Sequence, residues 1–299
     1  MAIPSTEWHR RRFVPRDDAE GGGSMCPGHR WYNRRMPERE RLYHAEVVIL
    51  RRRDLGEADR LLTVFSREFG KLRQIAKGAR RPQSRKAGHL ELFNRARLLV
   101  ARGRDLDIIS QAEALDSYPH LHADLLLVGH AGYAIELLDH FTVDAEPNAN
   151  LYRLICETLA RLDQGGDTNS VIRHYELRLL DEVGFRPELF RCVACGDEIR
   201  PVAQYFSYEK GGILCPACGG KERSLVPISL PALKVLRHFQ RSTYGAAAKV
   251  KIRSNVHAEI DQFMEGFMGA LLERRLNGPH FIRRVQTKTS IQPKSDTIP

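Results

Sequence analysis

Four cysteines constrain this chain more than any other feature. Cys192-Val193-Ala194-Cys195 and Cys215-Pro216-Ala217-Cys218 are each C-x2-C, with nineteen residues between the pairs. Each pair sets two thiolates on one tight turn, and four soft donors at this spacing suit a tetrahedral Zn²⁺. Four thiolates fill the coordination shell, so the spacing predicts one structural zinc with no open catalytic position. A redox dithiol is the alternative for each pair, and two pairs at this spacing argue against it. Gly196 and Gly219 follow the second cysteine of each pair and are read as the residues that let the backbone turn. The segment 205–208 between the pairs reads as a short returning strand. Of the other two cysteines, Cys156 sits on an apolar helix face and reads as a buried thiol, while Cys26 lies in Cys26-Pro27-Gly28-His29 and is assigned no role.

The cysteine module lies late in a chain of 299 residues, a length that predicts two domains at roughly 100–200 residues each. The hydrophobic period changes near residue 117. From 42 to 116 it is short and strand-like: Ala45, Val47 and Ile49 alternate with Glu46, Val48 and Leu50. Segments 60–66, 71–77, 95–101 and 106–110 follow, the last two joined through Arg102-Gly103-Arg104-Asp105. A polar break is expected at 54–59. Five short strands with tight turns suit a small barrel. From 117 to 285 the period is helical, with Leu121, Leu125, Val128, Ile135 and Leu138 on one stripe. Further helices are expected over 149–162, from a cap at Asn169 or Ser170 to Val183, over 229–241, and over 256–276. The last carries the stripe Val256, Ile260, Phe263, Phe267, Leu271. The small residues Gly129, Ala131, Gly132 and Ala134 predict close packing against a neighbour.

The fold class expected is α+β, with a β-barrel first and a helical domain second, the four-cysteine module (190–222) inserted in the latter. Residues 1–41 contain Glu20-Gly21-Gly22-Gly23-Ser24 among many arginines and read as a disordered basic extension. Two accounts of it stay open, a start assigned too early with Met36 the true one, and a real basic arm. Residues 286–299 read as a disordered polar tail.

Charge is concentrated in the barrel. Residues 67–104 hold twelve Lys/Arg against Glu68 and Glu91, a balance of +10 that equals the net charge of the chain. Such concentration is an electrostatic footprint for a polyanion. The aromatics Tyr43, Phe65, Phe69 and Phe93 are assigned mostly to the core. No apolar run approaches the ~18–20 residues of a membrane span, and the N-terminus shows no secretory signal, so a cytoplasmic location is expected. No phosphate-binding Gly-rich loop, zincin helix or nucleophile elbow is present. Asp105 and Asp107 imitate a nuclease metal pair, but at a hairpin they are read as turn chemistry. The twelve histidines show no ligand spacing. Binding without turnover is therefore expected.

The strings Tyr43-His44-Ala45-Glu46-Val47-Val48-Ile49-Leu50, Leu55-Gly56-Glu57-Ala58-Asp59-Arg60, Lys77-Gly78-Ala79-Arg80-Arg81 and Gly184-Phe185-Arg186-Pro187-Glu188-Leu189 lead in that order to the cysteine module. Together they closely resemble the RecO family of bacterial recombination mediators over about residues 42–285. The resemblance implies an oligonucleotide-binding (OB) fold over 42–116, a zinc-carrying helical domain and no enzymatic turnover. It implies binding of single- and double-stranded DNA, annealing of complementary strands, and contact with the acidic tail of single-stranded DNA-binding protein. With RecR, it implies loading of RecA in the bacterial nucleoid. By position, the DNA surface becomes Arg73, Lys77, Arg80, Arg81, Arg85 and Lys86, with Arg102 and Arg104. Zinc falls to Cys192, Cys195, Cys215 and Cys218; some members lack these cysteines, which suits a structural metal. The acidic tail calls for an apolar groove with a cationic rim, a chemistry offered by Lys234, Arg237 and Arg241, and by Arg274 and Arg275. The rival reading is an RNA-binding or transcription-associated zinc-ribbon protein; the extension lies outside the family pattern.

Overall fold

The structure is a computed structural model that describes residues 41–220 and 224–291. The extension expected over 1–41 lies, apart from Arg41, outside the described residues.

Strands β1 (Leu42–Leu55), β2 (Asp59–Ser66), β3 (Gly70–Ala76), β4 (Arg95–Ala101) and β5 (Asp107–Asp116) close into a barrel of order β1-β2-β3-β5-β4. Closure uses one parallel pairing, Gln74 beside Asp107 and Ile75 beside Ile108. The barrel is OB-like. Its interior is Ala45, Val47, Ile49, Leu62, Val64, Leu98, Val100 and Ile109. The alternate residues Val48, Leu50 and Phe65 belong to the core of the helical domain. This explains the unbroken apolar run 47–50 in β1, because both faces of that segment are buried. Beyond it, β1 runs into the polar break expected at 54–59, which narrows to a turn at 56–58, and pairs Arg52 with Leu62 and Leu55 with Asp59. Arg52 and Arg60 of this ribbon are half-buried and both pair with Glu91.

The helical domain contains α1 (Pro119–Ala123), α2 (Leu125–Phe141), α3 (Ala149–Asp163), α4 (Thr168–Glu182), α5 (Pro216–Gly219), α6 (Leu230–Arg241), α7 (Tyr244–Ala247), α8 (Ser254–Leu272) and α9 (Asn277–Ile291). A small sheet of β6 (Gln204–Ser207), β7 (Gly212–Leu214) and β8 (Val226–Ile228) carries the cysteine module. Several boundaries differ from expectation, each for a local reason. The stripe begun at Leu121 is cut at Asp124, whose carboxylate accepts from the amides of Leu126 and Leu127 and starts α2. Leu125 at that start is exposed. Helix α4 is capped by Asp167, which accepts from Ser170 N at 2.9 Å, ahead of the expected Asn169 or Ser170. The helix expected over 256–276 stops at Leu272, where Glu273 adopts a left-handed φ of 52°. The chain then forms α9, which runs through 286–291, where a tail was expected. Gly129 on α2 lets α9 approach: a Cβ there would sit 3.1 Å from Phe281 and Ile282 side-chain atoms. Among the described residues, no helix is long and apolar enough to cross a membrane.

Lys71 ties the barrel to the helices. Lys71 Nζ donates to the carbonyls of Asp139 and Thr142, both at 2.7 Å, and pairs with the Asp139 carboxylate at 3.1 Å. It thus places a cation on the negative end of α2. Beside it, Gly70 has φ of +69°, and a Cβ there would lie 2.1 Å from the Glu146 carbonyl oxygen.

Candidate metal centre and cationic groove

The two C-x2-C turns form matched knuckles. Gly196 N donates to Cys192 O and Gly219 N to Cys215 O, each at 2.8 Å. The four Sγ atoms of Cys192, Cys195, Cys215 and Cys218 all lie within 4.8 Å of one another. Cys195 Sγ and Cys215 Sγ are 3.9 Å apart, close to the ~3.8 Å separation that metal–sulfur bonds of ~2.3 Å give in a tetrahedron. Burial opposes ionisation of Cys192, but amide donors from Cys195, Cys215 and Ala194 outweigh it and bring this thiol down to about 6. The cluster can hold a metal ion, and its all-sulfur donor set suits a soft one. Gly196 has the left-handed φ of 80° that its turn requires. Gly219 has a different reason: a Cβ there would lie 2.4 Å from the ring of Tyr205. Cys156 stands apart on α3, half-buried, its thiol pushed up to about 11 by burial.

The barrel carries a groove of about 850 Å³ where the loop after β3 folds over β5. Lys77, Arg81, Arg85 and Lys86 line it with His89, Ser110 and Gln111, and no carboxylate is among its lining residues. Lys77, Arg81 and Arg85 are exposed. Lys86 is partly structural: its Nζ donates to Ile109 O at 3.0 Å, and burial lowers its pKa against the pull of Asp59. His89 Nδ1 accepts from Ala114 N at 3.2 Å, tying the loop to β5.

The other predicted cations do not join this groove. Arg73 pairs with Asp144 at 3.3 Å. Arg80 donates to Gly56 O at 2.9 Å and pairs with Asp54 at 3.4 Å. Arg102 lies over the Tyr43 ring at 5.3 Å, and Arg104 is exposed in the β4–β5 turn. Asp107 serves the turn, accepting from Gly103 N at 3.0 Å and from the Tyr43 hydroxyl at 2.6 Å. Phe65 and Phe93 are buried in the core. On α6, Lys234 is exposed, while Arg237 donates to Leu189 O at 2.8 Å. Arg237 and Arg241 lie over the Phe190 ring at 5.0 and 3.6 Å. Sequence reasoning missed His89, Ser110 and Gln111; the one trace is Ser110-Gln111 interrupting the apolar run of β5.

A closed OB-like barrel with a cationic groove, followed by a helical domain bearing a four-cysteine cluster, defines a two-part architecture. Residues 40–118 match the domain described as Recombination protein O N terminal, and residues 122–279 match Recombination protein O C terminal. The chain belongs to the RecO family. It is 39% identical over 236 residues to the DNA repair protein RecO of Roseiflexus sp. (strain RS-1), covering 79% of this chain and 83% of that relative. It is 34% identical over 245 residues to the DNA repair protein RecO of Desulforamulus reducens, covering 82% and 95%. With the DNA repair protein RecO of Desulforudis audaxviator it shares 34% over 248 residues, covering 83% and 99%.

Proposed function

We propose that this protein is a DNA repair and recombination mediator, working by binding and without a covalent step. It binds single- and double-stranded DNA, anneals complementary strands coated with single-stranded DNA-binding protein, and with RecR promotes RecA loading at the nucleoid. The observation that carries the reading is the carboxylate-free groove lined by Lys77, Arg81, Arg85 and Lys86. Cations set along a backbone neutralise phosphates and release counterions, so affinity comes from charge and not from base identity. Annealing follows, because two polyanions repel until a cationic surface screens them. Family membership and the shared name of the relatives support the repair role.

One Zn²⁺ per chain is held by Cys192, Cys195, Cys215 and Cys218, and its chemistry there is structural: it ties the two knuckles together. The acidic tail of the coating protein docks near α6, where Lys234 and Arg241 are exposed.

The test is annealing of two labelled complementary strands, pre-coated with single-stranded DNA-binding protein, across a salt series. Acceleration at low salt that fades as salt rises is expected. Failure to accelerate coated strands at low salt refutes the mediator reading.

A further inference from the structure

A second cationic cavity of about 680 Å³ lies where α8 ends and α9 begins. Arg274, Arg275, His280 and Arg283 line it, with a single carboxylate, Glu265. That carboxylate is already neutralised, because Arg283 Nη2 donates to Glu265 Oε1 at 3.0 Å. The backbone builds the site. Glu273 leaves α8 in a left-handed conformation, and Arg274 N donates back to Gly269 O at 3.2 Å. This closed turn presents two consecutive arginines. Arg274 is seated on the His140 ring, with Nη1 at 3.2 Å from Nδ1. Arg275 and His280 are exposed and have no ion pair among the described residues. The amides of Asn277 and Gly278 are taken by Glu136 at 2.9 and 2.8 Å. The cations of the cavity are therefore side chains, and the start of α9 is neutralised by Glu136.

Two features say what the cavity takes. Its floor is Gly266, Gly269 and polar side chains, and the one apolar residue, Leu276, is buried. Arginine and histidine heads converging on one cavity suit a string of phosphates, which needs no apolar anchor. The second feature is position. His140 adjoins Asp139, which pairs with Lys71 at the start of β3, while the barrel groove begins at Lys77, just past its end. Six residues of strand at ~3.3 Å each put ~20 Å between those points. The two cationic sites share no lining residue.

We propose that the α8–α9 cavity is a second nucleic-acid site, taking the phosphate backbone of a second strand while the barrel groove holds the first. The inference rests on the annealing role proposed above and supplies what one groove lacks. Annealing needs two strands held on one chain, and the cavity provides the second seat.

The experiment measures how many short, non-complementary, labelled single strands each full-length chain takes up at low salt. Two per chain are expected, with energy transfer between the labels. Arg275→Glu combined with His280→Glu is expected to take one, and to anneal complementary strands more than about tenfold more slowly, since each phosphate contact contributes about fourfold near 0.15 M salt. Circular dichroism and metal content of this variant report on folding, and Arg275→Lys is expected to keep both strands. A parent that takes one strand per chain overturns the inference, as does a charge-reversed variant that still takes two. A variant that keeps both strands but loses affinity for an acidic peptide assigns the cavity to a protein partner, which also overturns it. A parent that takes two strands yet accelerates no annealing refutes the mediator role and leaves the second site standing.

Discussion

Replacing Lys77, Arg81 and Arg85 together by alanine removes three exposed cations from the barrel groove. Lys86 is left in place because its Nζ holds the Ile109 carbonyl, so its loss disturbs β5 as well as charge. For single strands the slope of log affinity against log salt is about −0.7 per phosphate contact, so three lost contacts flatten it by about 2. At ~0.15 M salt this corresponds to a ~50-fold loss of affinity, or ~2.4 kcal/mol. Arg73→Ala and Arg80→Ala are the controls, since their guanidiniums are engaged by Asp144 and by Asp54 and Gly56. Fluorescence anisotropy of a labelled oligonucleotide, titrated at several salt concentrations, measures both slope and affinity. The controls should leave the slope of the parent unchanged. An unchanged slope in the triple variant refutes the assignment of the groove, and an equal loss in Arg80→Ala refutes the argument that ion-paired cations are withdrawn from the surface.

Three further outcomes are expected. Freshly purified protein should hold one zinc per chain by atomic absorption, and Cys195→Ser should lose it along with several degrees of melting temperature; metal-free parent protein contradicts the structural-zinc reading. Gly70→Ala should cost about 2 kcal/mol or more in urea unfolding, because the left-handed conformation alone costs a β-carbon about 1–2 kcal/mol and the Glu146 carbonyl stands in its way. A neutral result there denies the close approach of barrel and helical domain. His174 is held down to about 4, first by burial and then by Arg161 and Arg178. The unfolded chain, with the ring near ~6.5, therefore binds the proton more readily, and stability should fall as pH drops from about 6.5 to about 4. His174→Gln should flatten urea midpoints measured across that window, and an unaltered pH profile counts against the buried neutral ring.

What could be read from the sequence was what local chemistry decides. The cysteine cluster follows from spacing, because each C-x2-C turn leaves its two sulfurs few places to point. The barrel strands follow from β-rich segments set between turn residues. What escaped depends on distant partners. Residues 286–291 look frayed because α9 is polar, yet the helix is anchored by Phe281 and Ile282 against Gly129, far back in the chain. The end of β1 looks like a loop because its residues are charged, but its strand character comes from pairing with β2 and not from burial.

The same limit governs the cations. Residues 67–104 count as +10 with only Glu68 and Glu91 set against them. The fold brings other acids to bear: Asp144 on Arg73, Asp54 on Arg80, Asp139 on Lys71, and Asp116 and Glu46 on Arg95. All of these lie outside the counted segment, so its charge overstates its attraction for phosphates. The loop after β3 is different, because the side chains facing it from β5 are Ser110, Gln111 and Ala112. Neutral neighbours leave Lys77, Arg81 and Arg85 without a carboxylate in the groove, which is what the proposed phosphate contact requires. Where a polyanion binds is set by which cations the neighbouring strand fails to neutralise, and that is a property of strand order before it is one of charge.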